Sequence, residues 1–433
     1  MASLACAPVP TAVLRVAVIG GGVSGLSAAF RLERAGHECV LFDTGRRGVG
    51  GRASSRGPAD HAAQFLRVHG NESESFRAAL EEWHRLGVVV PWKGNIGCGG
   101  VRGGEQGSYY IGSKALGIGS IATHLQSCLR TPPKTDTWIS PNNGIRKQSN
   151  GQWTVHSKGI QIGGVFDAVI IAHNGKCADR LTSRTPAKMI NKLLKVQFSD
   201  QPHPKKMTLN SIYSLLVEVK PGILRSDVDA YFFKGSSVLD FAACQSRKYG
   251  TRTPTGTETW TLLSHPTFAK QHKQPQEHLE GTKVSHTVVQ EMLREAFRIL
   301  GSSKSVDIGD AVVRTKLQLW GAGVPINHWE AEDGAGFLWD SAHCIGVVGD
   351  WLKRSSISGA WESGEELGAF FEKVKDVKTT SKGLKGQFVP NKKDPGGDHG
   401  ALVGNVSIAQ DRKDGDVQVQ REEQKVVGHR TRQ

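Results

Sequence analysis

The stretch Val16-Ala17-Val18-Ile19-Gly20-Gly21-Gly22-Val23-Ser24-Gly25 leaves the chain few ways to fold. Small β-branched residues give way to glycines and then to an apolar helical pattern from Leu26 to Leu32, which reads as strand, tight turn and helix. The glycines fall as Gly20-x-Gly22-x-x-Gly25. The first permits the turn, the second lets a pyrophosphate approach the backbone, and the third lets helix and strand pack closely. The free N–H groups at the helix start, that of Ser24 among them, would face a phosphate with the positive end of the helix dipole.

Such a turn is also compatible with a purely structural βαβ connection, so its context matters. The helix ends at Gly36, a second strand follows at Glu38 to Phe42, and Asp43 closes it. Asp43 lies roughly 20 residues past the glycines, the distance at which a carboxylate bonds an adenosine ribose. A dinucleotide site is therefore expected.

At 433 residues, with 38% hydrophobic content, the chain is long enough for two lobes and a tail. Its net charge of +14 invites a nucleic-acid reading. No basic helix and no cationic run interleaved with aromatics supports it, so no nucleic-acid partner is expected. A basic cleft would equally suit phosphate-bearing substrates. The seven cysteines are scattered and lack a CxxC, which argues against a disulfide framework or a zinc site; no metal ligand set is assigned. No apolar run approaches the ~18 residues that span a bilayer. A soluble, cytoplasmic monomer is expected, with a plastid location as the alternative.

Along the chain, Asp60 to Phe65 is a short strand candidate, and a helix runs through Phe76, Leu80, Trp83 and Leu86. Val88 to Trp92 reads as a strand, Gly97 to Gly107 as a glycine-rich loop, and Ile118 to Leu129 as a helix. Trp153 to His156 and the buried run Phe166 to Ala172 are strands. Ser211 to Val219, Ala230 to Phe233 and Glu258 to Ser264 form a β-rich lobe, and the helix Val284 to Leu300 leads back from it. Leu317 to Trp320, the strand Cys344 to Asp350 and the helix Ile357 to Phe371 complete the pattern. The fold expected is α/β: a Rossmann-like nucleotide-binding domain (1–70, 120–178, 306–376) with an inserted β-rich, α+β substrate domain (71–119, 179–305). Beyond Lys375 apolar periodicity stops, so 377–433 is expected to be disordered.

Two further segments specify the nucleotide. Gly50-Gly51-Arg52 resembles the second signature of FAD enzymes of the amine-oxidase and renalase type, although alone it could be a basic loop. Gly349-Asp350, running on into Ser358-Gly359, resembles their third, in which the acidic residue bonds the ribityl hydroxyls. Asp60-His61-Ala62-Ala63-Gln64-Phe65 is similar to the renalase family's Asp-x-Gly-Ala-Gln-Tyr segment. Trp83 with Val90-Pro91-Trp92, Phe166 to Val169, Trp260 to Leu263 and Trp320-Gly321-Ala322 also match, so the resemblance covers roughly residues 14–372. It implies a two-lobed flavoprotein with non-covalent FAD that oxidises dihydronicotinamide nucleotides and passes electrons to O2, giving peroxide.

The resemblance also assigns residues. Gly20, Gly22, Ser24, Gly25, Asp43, Gly51, Arg52, Gly349, Asp350, Ser358 and Gly359 would bind the cofactor; Gln64, Trp320 and His265 would serve catalysis. Three positions depart from the family. Ala62 replaces a glycine, Phe65 a tyrosine, and Leu263 stands where relatives carry a histidine over the flavin. His265 lies two residues on, which is the same face if the strand continues through Pro266. Two other functions remain open: a flavin-dependent amine oxidase or desaturase, and a FAD-binding module with little turnover.

Overall fold

In the computed structural model the glycine turn joins strand Arg15–Ile19 to helix Val23–Arg34, as its residue types demand. The structure describes residues 12–391 except 58, 69, 99–100, 103–107, 174, 252–255, 276–277, 303–306 and 375. A five-stranded sheet runs in the order Glu38–Phe42, Arg15–Ile19, Ala168–Ile171, Ile345–Val347, Leu338–Asp340, the first four parallel and the last antiparallel. Side chains alternate across a strand, so each strand feeds two cores. Val16, Val18 and Ile170 pack with the helices Val23–Arg34, Gly119–Ser127 and Ile357–Lys373. Ala17, Ile19, Val169 and Ile171 pack against the antiparallel sheet Ile145–Lys147, Trp153–Ser157, Ile160–Phe166 through Trp153, Val155 and Phe166.

The first and last of these helices approach closely because their contact is glycine. A Cβ on Gly364 would lie 2.2 Å from the Ser24 carbonyl oxygen, and one on Gly368 2.5 Å from Arg31 Cβ. The Ser27 hydroxyl donates to the Trp361 carbonyl at 2.8 Å across the contact.

The second lobe is an eight-stranded sheet centred on Met207–Val219, which pairs antiparallel with Glu258–Ser264 on one side and Val312–Pro325 on the other. Helix Lys283–Leu300 covers one face through Val288, Met292, Leu293 and Ala296. The opposite face, carrying Ile212, Phe241, Leu263 and Trp320, closes on Ala62 and Phe65 of the nucleotide lobe.

Four assignments differ from expectation. Helix Glu74–Arg85, assigned to the substrate domain, packs on the last helix of the nucleotide lobe: Phe76 and Trp83 meet Trp361 at 5.6 and 6.3 Å between ring centroids. Of the segment 71–119, the strands Ile96–Cys98 and Val101–Arg102 join the large sheet, where a glycine-rich loop was expected. Strand Val312–Pro325, assigned to the nucleotide domain, belongs to that sheet as well. Finally, the chain beyond Lys375 is ordered at its start. Gly386–Pro390 pairs antiparallel with Asn327–Ala331, and Phe388 is buried against Trp329 and Trp351. The remainder of the expected disordered tail, 392–433, lies outside the described residues.

Among the described residues, the cysteines are free thiols, no cluster of metal-ligating side chains occurs, and no helix is long and apolar enough to cross a membrane.

Candidate cofactor cleft

Helix Val23–Arg34 begins at Gly22 without any side-chain cap, so its first amides are open to a ligand. A Cβ at Gly22 would meet nothing within 4 Å, because the residue faces the mouth of a cleft of about 350 Å³. Gly20 takes φ +115°, a conformation reserved for glycine, and its Cβ would strike the Ala172 carbonyl at 2.9 Å. Gly25 does not line the cleft. A Cβ there would sit 2.0 Å from the Gly20 carbonyl oxygen, so its role is the close helix–strand contact.

The cleft gathers the three distant segments. Gly20, Gly22, Ser24 and Asp43 line it with Gly51, Arg52, Gly349 and Asp350, and Trp320 comes in from the second lobe. Arg52 binds across them: one guanidinium nitrogen is 2.7 Å from Asp350 Oδ1 and the other donates to the Gly323 carbonyl at 2.9 Å. The arginine thus braces the nucleotide lobe against the strand that carries Trp320. Asp43 accepts from the Gly21 and Gly45 amides, each at 2.7 Å, which fixes its carboxylate at the end of the second strand.

Other assigned residues lie elsewhere. Ser358 and Gly359 sit in the first turn of helix Ile357–Lys373 and do not line the cleft. The Ser358 hydroxyl pairs with that of Ser356 at 2.9 Å, and a Cβ on Gly359 would clash with the Arg354 carbonyl at 2.2 Å. Ser356, which caps the helix through the Gly359 amide at 2.9 Å, is the serine that lines the cleft. Gln64 is fully buried outside it, donating to the Asp60 and Ala62 carbonyls and accepting from Gln245 at 2.9 Å, so every polar atom of its amide is engaged.

His265 is not brought to the site. Strand Glu258–Ser264 ends one residue earlier because Pro266 opens helix Pro266–Gln271. His265 caps that helix, its Nδ1 accepting from the Thr267 amide at 3.2 Å. Leu263 fills the corresponding inward position, fully buried among Phe65, Phe241 and Ile212.

The structure adds residues that spacing alone does not reveal. Trp138 and Ile139 line the cleft near Asp43, held there because the Thr137 amide donates to the Asp43 carbonyl at 2.8 Å. His173, just past strand Ala168–Ile171, lines the cleft with its Nδ1 buried and unpartnered; burial pushes its pKa down to about 4. Trp351 Nε1, also at the cleft, has no partner either. An uncapped helix start, a glycine cradle and orphaned polar atoms in one cleft fit a dinucleotide cofactor.

Behind the cleft, Lys248 forms a wholly buried ion pair with Asp60 at 2.6 Å. Tyr249 donates to the same carboxylate oxygen at 2.5 Å, Ser55 and the Ile118 amide to the other, and Lys248 also meets the Gln64 carbonyl. Burial lowers the Lys248 pKa, while Asp60 opposes the shift. His61, next to Trp320 at 5.5 Å between rings, is held neutral at a pKa of about 4 by burial first and then by Arg56, with Lys316 and Arg47 adding to it.

Residues 18–83 match the family of NAD(P)-binding Rossmann-like domains. Two solved structures are similar over nearly their whole length. One is a protein assigned as a protoporphyrinogen oxidase, from Exiguobacterium sp. 255-15, with a TM-score of 0.54 and 10% identity over 83% of this chain and 99% of that one. The other is cyclohexylamine oxidase from Brevibacterium oxydans IH-35A, with a TM-score of 0.53 and 10% identity over the same shares of each chain. The chain therefore carries an NAD(P)-binding Rossmann-like domain within the two-lobed fold of these proteins.

Proposed function

We propose that this protein is a FAD-dependent oxidoreductase that accepts hydride from a dihydronicotinamide nucleotide and passes the electrons to O2, giving hydrogen peroxide. The observation that carries the reading is the convergence of Gly20–Gly25, Gly50–Arg52 and Gly349–Asp350 on one cleft. An NAD-only site would need the first segment alone. Bound FAD would supply a two-electron acceptor at that cleft. The amides at the start of helix Val23–Arg34 would hold its pyrophosphate, Asp43 would accept from the adenosine ribose, and Asp350, oriented by Arg52, from the ribityl chain. The start of helix Ile357–Lys373, represented in the cleft by Ser356, Ile357 and Ala360, would favour negative charge nearby. Trp320 and Ala322 would close the wall, position the donor and exclude water.

A dihydronicotinamide donor requires no protein base, which suits a cleft whose flanking histidines, His61 and His173, are neutral. Burial keeps His61 neutral, and the nearby Arg56, Lys316 and Arg47, which add to that effect, also disfavour an ammonium substrate and favour an anionic one. This argues against an amine donor, even though the fold is shared with an amine oxidase. The test is the visible spectrum of the purified protein followed by anaerobic addition of reductants. Bleaching of a flavin band by NADPH supports the reading. A colourless protein overturns it, and bleaching by amines alone replaces the donor.

A further inference from the structure

A second cleft, of about 560 Å³, opens where the loop after the second strand meets the outer part of the large sheet. Arg47 and Arg56 project from the nucleotide lobe side; Arg314 and Lys316 come from strand Val312–Pro325, with Thr259 and Thr315 beside them. Arg314 is neutralised by Glu218 at 2.7 Å. Arg47, Arg56 and Lys316 have no carboxylate within ion-pair distance among the described residues, and Glu280 exerts only a minor attraction on Lys316. Arg56 is instead held by the Gln318 side-chain oxygen at 2.7 Å, which leaves its positive charge uncancelled.

These cations strain against one another. Burial and then Arg47 lower the Arg56 pKa, and Arg56 is the largest cause lowering that of Lys316. Like charges held together around a cavity are destabilising unless an anion joins them, and guanidinium groups match phosphate oxygens in geometry and charge. The cleft is also joined to the cofactor cleft by the strand itself. Lys316, Gln318 and Trp320 alternate with Leu317 and Leu319, which turn to the opposite core, so the three share one face. From Lys316 to Trp320 is about 13 Å at the rise of an extended strand.

We propose that this basic cleft is a phosphate-binding site that anchors the phosphorylated end of a dihydronicotinamide donor while Trp320 frames its ring. The anchoring role rests on the oxidoreductase reading; the binding of phosphate does not. Calorimetric titration of sodium pyrophosphate into the FAD-loaded protein gives saturable binding that weakens with salt. Arg56→Gln with Lys316→Gln weakens it roughly 10- to 150-fold, the effect of losing charge-assisted hydrogen bonds, and leaves the flavin absorbance unchanged. Lys316→Glu alone, a change at an exposed side chain, weakens it as well. In anaerobic flavin reduction, pyrophosphate and the double substitution each raise the half-saturating NADPH concentration. Neither affects reduction by the uncharged donor N-benzyl-1,4-dihydronicotinamide. No saturable binding by wild type, or equal binding by the variants, overturns the site; equal effects on both donors overturn the anchoring role. A colourless protein defeats the oxidoreductase reading, and pyrophosphate titration of that protein, wild type against the double substitution, still decides the cleft.

Discussion

Asp43 ties down the Gly21 and Gly45 amides with its carboxylate and lines the proposed cofactor cleft. Asp43→Ala therefore weakens FAD retention by roughly 10- to 150-fold, the cost of a lost charged acceptor, as measured by dialysis and absorbance. Unchanged retention would remove Asp43 from the site. Asp240, half-buried near His265, carries an Oδ2 that is itself buried and unpartnered, and desolvation pushes its pKa up to about 8. The unfolded chain ionises this group near pH 4, so between those values it binds fewer protons than the folded protein. Stability consequently falls as pH rises through that window. Asp240→Asn removes this loss and gains about 1–3 kcal/mol over wild type at pH 8, with little gain at pH 4. Thermal unfolding across the range checks it; a pH-independent difference would count against it. At this scale the glycines and Asp43 were legible because backbone geometry dictates their spacing. Gln64 and His265 misled, since residue type alone does not distinguish a buried amide bonded to its own loop, or a helix cap, from a catalytic group.

Strand Gly386–Pro390 was invisible to periodicity because it turns a single large apolar residue, Phe388, into the core from a lysine- and glycine-rich run. Phe388 stacks on Trp351, which follows Asp350 in the cofactor cleft, so this strand supports the cleft from behind. Phe388→Ala costs about 3–5 kcal/mol of stability. It also lowers flavin retention, measurable by thermal unfolding and the visible spectrum of the same sample. A truncation after Val374 has the same consequences more severely, since it also removes the Val377 carbonyl that accepts from Trp339 Nε1 at 2.8 Å. Truncation after Asn391 keeps every contact described. The long strand Val312–Pro325 was legible only from Leu317 to Trp320, because its outer residues Val313 to Lys316 are exposed and carry no alternating apolar signal.

Between the lobes, the Asp60–Lys248 pair is sealed from water and joins the short strand Ala59–Asp60 to the helix Gln245–Lys248 that follows a strand of the large sheet. Lys248→Met leaves Asp60 buried without its partner and destabilises by about 3–5 kcal/mol. Adding Asp60→Asn recovers a substantial part, so the coupling from a double-mutant cycle is large. Additive losses in denaturant unfolding would show that the pair does not hold the lobes together. The two-lobed plan was legible because the nucleotide strands and the alternating β-rich lobe differ in periodicity. The path of the chain between them was not, since helix Glu74–Arg85 and strand Val312–Pro325 each look the same whichever lobe receives them. The glycine contact between the first and last helices has a consequence for synthesis. The helix Val23–Arg34 meets its partner only after about 320 further residues have been made, roughly 15–65 s at ordinary translation rates. Throughout that interval Leu26, Leu32 and the first strand lack their covering layer, so the nucleotide half emerges first and completes last. The inserted lobe, whose helix Lys283–Leu300 lies close in sequence to the strands it covers, is placed to fold while the other half waits exposed to chaperones.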